Sequence, residues 1–203
     1  MHKKNLLVSY RLFFALLGFS AIVTEITTIV EQGRFNPANF FSFFTIESNI
    51  FAVIVLILSA LALAYGKHSK RLDMLRSANT LNIIVVGLVF TLLLSGIKDA
   101  EFTAVPWDNT VLHYIMPIVI ALDWFIDLPK VRIAFKQALV WMVFPVVYVV
   151  YSLIRGRIVG WYPYPFVNPS QHGYAGVAIT SIVIALGSTG LIWLISRSTL
   201  RAR

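Results

Sequence analysis

The sequence predicts an all-α polytopic integral membrane protein, one domain over residues 1–203 with six transmembrane helices and both termini cytoplasmic. Two observations carry that expectation. Of 203 residues, 58% are hydrophobic and 13% charged, with a mean hydropathy of +0.79; soluble domains are nearer half apolar and a quarter charged. The apolar residues also gather into six runs, roughly 10–30, 41–65, 79–97, 109–128, 133–154 and 174–196, each close to the ~20 residues a spanning helix needs. Backbone groups in lipid must pair internally, so such runs are read as helices.

The first run follows MHKKN and imitates a signal peptide. Arg11 and Glu25 interrupt it and no small-residue cleavage site follows, so it is taken as a span. Lysine and arginine then orient the rest. Lys3, Lys4 and Arg11, the loop residues Lys67, Lys70, Arg71 and Arg76, then Lys130, Arg132 and Lys136, and finally Arg197, Arg201 and Arg203 fall on one side. The other side holds only Arg34, Lys98, Arg155 and Arg157, and an acidic third loop, KDAEFTAVPWD. The positive side is the inside. A net charge of +8 would suggest nucleic acid in a soluble chain, but charge confined to short loops is explained by topology. The expected partner is therefore membrane lipid, not nucleic acid. With no cysteine, disulfides, thiolate metal sites and cysteine nucleophiles are excluded.

The second run opens with polar residues, FFTIESN. Entering from outside, Thr45 is expected about one turn in, roughly 6–8 Å at 1.5 Å per residue. Thr45, Ser48 and Asn49 share a helix face at i, i+3 and i+4, whereas Glu47 points elsewhere. In the third run, Asn79 and Asn82 suit capping or bridging. The fourth run also enters from outside and carries His113 at the depth of Thr45, with Pro117 four residues on and Asp123 and Asp127 near the inner edge. A hydroxyl and an imidazole from separate segments thus fall in one layer. A threonine hydroxyl becomes a nucleophile when a base removes its proton, and neutral histidine is the usual base. Ser48, Asn49, Tyr114 or a backbone amide could then donate to an oxyanion, with Glu25 either a further carboxylate of the site or the partner of an outer arginine. The last outer loop interleaves Trp161, Tyr162, Tyr164 and Phe166 with prolines, which reads as an interfacial aromatic belt or as the rim of a lipid entrance. Arg155 and Arg157 beside it would hold an anionic head group or snorkel to the interface.

FFTIESN, then LHYIMP followed by LDW, then the RG…GWYPYPF segment, in that order, resemble the androgen-induced protein family. The resemblance covers about residues 10 to 196 and is closest to the bacterial branch of six-span proteins, of which WYPYPF is more a mark than it is of the animal enzymes. Animal members are multi-pass threonine hydrolases that cleave fatty acid esters of hydroxy fatty acids. Their nucleophile, a threonine at the start of span two, and their base, a histidine in span four, map onto Thr45 and His113. The resemblance implies a hydrolase of lipid esters in a bacterial cytoplasmic membrane, needing no cofactor and no metal. The rival readings are a transporter or proton-coupled carrier with a relay through Glu25, Glu47, His113 and Asp123, and a non-enzymatic lipid-binding protein. A zinc hydrolase finds too few ligands, since of four histidines only His113 lies in a predicted span.

Overall fold

The computed structural model describes residues 2–97 and 103–199. Expectations resting on Lys98, Asp99, Glu101, Arg201 and Arg203 lie outside them. Six helices are long and apolar enough to cross a membrane: α1 (His2–Glu31), α2 (Phe44–Ala64), α3 (Lys70–Leu94), α4 (Pro106–Ile126), α5 (Phe135–Val159) and α6 (Pro169–Thr199). Among the described residues there is no strand. Helices α1 to α4 pack in sequence order, α1 on α2, α2 on α3 and α3 on α4, while α6 lies against α3 and the start of α5. Large apolar side chains such as Leu16, Phe19, Ile182 and Leu186 face outward, as expected where lipid is the solvent.

Several boundaries differ from the expectation, and two of the differences bear on the packing and the site. Helix α3 begins at Lys70, so the segment read as loop, with Arg76 in it, is helical. Its polar residues have partners inside the bundle. The Asp73 carboxylate accepts from His68 Nε2 at 2.8 Å and from the backbone N–H groups of Lys130 and Val131 at 3.0 and 3.3 Å. Before α2, residues Pro37–Phe40 form a separate short helix, capped by the Asn36 side chain accepting from the Asn39 N–H. Asn36 is a favourable cap and Pro37 suits the first helical position.

Asp123, expected near the inner edge of its span, is buried in the bundle. It is 6% exposed and pairs with Arg11, itself 1% exposed, at 2.6 Å, and with Arg76 at 3.0 Å. Asp127 closes the group at 2.6 Å from Arg11 and 3.5 Å from Arg76. Arg11 also donates to the Ser59 carbonyl, so this quartet ties α1, α2, α3 and α4 at one end of the bundle. The Lys4 ammonium, donating to the Ala64 carbonyl at 2.9 Å, lies at that same end.

At the middle of the α3–α4 contact, Gly87 sits on Pro117. A Cβ at Gly87 would lie 2.8 Å from Pro117 Cβ, tighter than real contacts allow. Small residues let membrane helices approach closely. Gly87→Ala is therefore expected to cost about 1–3 kcal/mol through overpacking, seen as a lower thermal midpoint in detergent. Substitution at Gly190, where an added Cβ meets no atom within 4 Å, is the neutral control.

Candidate functional site

The site lies at the opposite end from the ion quartet, where α2 and α4 begin. Thr45 is the second residue of α2, because the chain turns between the Pro37–Phe40 helix and Phe44. His113 lies in the first turns of α4. Pro117 has no N–H to offer the His113 carbonyl, and the helix accommodates this with a π-helical turn over Val111–Ile115. The extra residue rotates His113 from where an uninterrupted α-helix would place it. A second π-helical turn, Phe90–Leu94, lies on neighbouring α3, and its Phe90 ring stacks on the His113 imidazole with centroids 3.9 Å apart.

Thr45 Oγ1 stands 3.2 Å from His113 Nε2 and 3.2 Å from the Tyr164 hydroxyl oxygen. The Thr45 backbone N–H donates to that same phenol oxygen at 3.1 Å. His113 Nδ1 is 3.1 Å from the Asn109 carbonyl. A carbonyl only accepts, so Nδ1 carries the hydrogen, and in the neutral ring Nε2 presents its lone pair to Thr45. One direction of donation satisfies every contact: Tyr164 O–H to Thr45 Oγ1, Thr45 O–H to His113 Nε2, and His113 Nδ1–H to Asn109. All three side chains are buried, with Thr45 8% exposed. Burial pushes the Tyr164 phenol up to about 12, so it remains a proton donor at neutral pH.

Tyr164 reaches Thr45 from the loop between α5 and α6. It stacks on Phe166, and Phe43 meets both Tyr164 and Trp161 edge-on, each pair about 5 to 6 Å between centroids. Arg155 stands 5.2 Å over the Trp161 ring and donates to Asn39 Oδ1 at 2.6 Å, fastening the loop to the entry of α2. A Cβ at Gly156 would overlap the Tyr162 ring, so glycine is what admits that tyrosine.

Two cavities meet at Thr45 and Tyr164, which line both. One, of about 310 Å³, runs between α3, α5 and α6 and is almost wholly apolar, with Val86, Val89, Val149, Phe166 and Ile184 in its wall. The other, also about 310 Å³, is a more polar vestibule in which Glu25, Arg34, Asn36, Asn39, Thr103 and His113 stand among Ile29, Phe40, Phe43 and Leu112, with Trp161 at its edge.

Of the residues singled out from sequence, Thr45, His113, Glu25, Trp161 and Tyr164 share the vestibule, and Phe166 lines the apolar cavity. Glu25 is occupied structurally, since both its oxygens accept from the Ala104 N–H, at 3.1 and 2.8 Å. Asn49 donates to the Thr45 and Leu112 carbonyls and so bridges α2 and α4 rather than facing a substrate. Ser48 is buried away from both cavities, Tyr114 is 38% exposed and turned outward against the Phe90 edge, and Arg157 is exposed. None of these three is placed to donate to an oxyanion at Thr45. Sequence reasoning missed the direct contact of Tyr164 with Thr45, the Asn109 carbonyl and Phe90. Among the described residues no three His, Asp or Glu side chains converge as a metal site. Comparison with family models, curated proteins and solved structures finds no match to this chain.

Proposed function

We propose that this chain is a membrane hydrolase of lipid esters, with Thr45 as nucleophile and His113 as general base. The observation that carries the reading is the Thr45 hydroxyl held between an oriented imidazole and a phenol, at the junction of an apolar and a polar cavity. His113 Nε2 takes the Thr45 proton as Oγ1 attacks the ester carbonyl carbon. Tyr164, released from Oγ1, donates to the resulting oxyanion, which forms at the positive end of α2. Collapse breaks the bond to the alcohol oxygen, and His113 returns the proton to that leaving group. Water then gives a proton to His113 and attacks the acyl carbon, and His113 returns it to Thr45 as the carboxylic acid leaves. The family resemblance supports the same two roles and makes fatty acid esters of hydroxy fatty acids natural first trials.

Both termini face the cytoplasm in this reading, with the site towards the outer leaflet of a bacterial cytoplasmic membrane. The excess of Lys and Arg at the Lys4–Ala64 end supports that orientation. A carrier with an acidic relay finds less support. Asp123 is committed to two arginines about ten residues, or ~15 Å, along α4 from His113.

The test is labelling with a fluorophosphonate, which reacts with activated hydroxyls. Wild type is expected to label, and Thr45→Ala and His113→Ala to lose the label while eluting as folded protein. Equal labelling of Thr45→Ala would end the proposal. Tyr164→Phe is expected to lower kcat by roughly 10²–10³ with little change in KM, since it removes one oxyanion donor. Steady-state kinetics would separate that from a packing effect.

A further inference from the structure

The two cavities are not equivalent with respect to His113, and the difference assigns the two halves of the substrate. His113 borders the polar vestibule and does not line the apolar cavity. The group that protonates the leaving alcohol must lie beside the alcohol oxygen. The alcohol half therefore occupies the vestibule, and the acyl chain runs from the carbonyl at Thr45 into the cavity between α3, α5 and α6.

The chemistry of each wall then selects its occupant. Val86, Val89, Val149 and Ile184 offer a hydrocarbon chain dispersion contacts, in a wall that exposes almost no polar surface. The vestibule is mixed: Glu25, Arg34, Asn36, Asn39 and Thr103 stand in its wall beside Ile29, Phe40, Phe43 and Leu112, so it carries polar groups that the apolar cavity lacks. A second hydrocarbon chain there would strip water from the exposed Arg34 guanidinium without replacing its hydrogen bonds, which is costly. An alcohol carrying further hydroxyl groups replaces them. Building on the hydrolase reading, we infer that the preferred substrate has one hydrocarbon arm: a long-chain acyl ester of a small, hydroxylated alcohol of the glycerol type. Esters in which both halves are long chains fit worse, the esters of hydroxy fatty acids among them.

The experiment compares matched esters on the full-length protein in detergent, with fluorophosphonate labelling of Thr45 run alongside. Monopalmitoylglycerol is expected to be cleaved with a kcat/KM roughly tenfold or more above that for the palmitic ester of a hydroxystearic acid. Val149→Phe, which fills the apolar cavity, is expected to depress cleavage of monopalmitoylglycerol more than that of monobutyrylglycerol; thermal unfolding of the same preparation reports that the variant is folded. Three results overturn the inference while leaving the hydrolase: equal or preferred cleavage of the hydroxystearate ester, labelling without cleavage of the glycerol ester, or palmitoyl cleavage untouched by Val149→Phe. No labelling and no cleavage of any ester would remove the hydrolase reading itself, and the inference with it.

Discussion

Replacing His113 with alanine is expected to lower ester turnover by about 10⁴-fold or more, the scale on which catalytic nucleophile–base pairs fail when one member is removed. The expectation rests on orientation as much as on basicity. The Asn109 carbonyl fixes the hydrogen on Nδ1, and Phe90 holds the ring plane, so Nε2 faces Thr45 Oγ1 at 3.2 Å. Without the imidazole, Thr45 keeps its proton and the leaving alcohol has no acid beside it. Truncation also leaves a void against Phe90, so some stability is lost. Thermal unfolding measured on the same preparation separates the two effects: a packing defect moves the midpoint, whereas loss of the base removes turnover in protein that is still folded at the assay temperature.

The second large effect is on stability. Asp123→Ala is expected to cost about 3–5 kcal/mol, the usual result of removing one partner from a buried ionic group. Asp123 accepts from Arg11 and Arg76, both buried, and Asp127 alone, bound to both already, would be left to balance two guanidinium groups. The geometry of Thr45 and His113 lies at the other end of the bundle, so the variant is expected to unfold at a lower temperature while its folded fraction retains turnover. Asp123→Asn, which keeps the size but not the charge, should recover only part of the loss. A midpoint equal to wild type would mean that the quartet does not hold the four helices together.

The six helices were legible because hydropathy and length reflect the solvent that the chain folds in. The pairing of Thr45 with His113 was legible for a related reason: alternating spans bring the beginnings of the second and fourth to one side, and two polar groups near those beginnings share a layer. What the sequence hid came from contacts that leave no periodic trace. Tyr164 reaches Thr45 across 119 residues, from the loop that joins α5 and α6. Asn109 acts through its backbone carbonyl, which no side-chain pattern reveals. The π-helical turn that aims His113 left only Pro117 as its trace in the sequence. Arg11, Arg76, Asp123 and Asp127 each resemble charges flanking a span, and only the packed helices show them to be one buried group. The start of α3 was missed for the same reason, because KRLDMLRSA reads as a basic loop until Asp73 and Arg76 are given partners.

The acyl-enzyme at Thr45 is the central claim, and trapping it is its most direct test. Protein would be mixed with p-nitrophenyl butyrate, quenched in acid during turnover, digested and mapped by mass spectrometry. The account predicts a butyryl group on Thr45 in wild type, at greater occupancy early in the reaction than after substrate is exhausted, and none in Thr45→Ala. Turnover without an acyl adduct, an adduct on another residue, or wild-type hydrolysis by Thr45→Ala would contradict it.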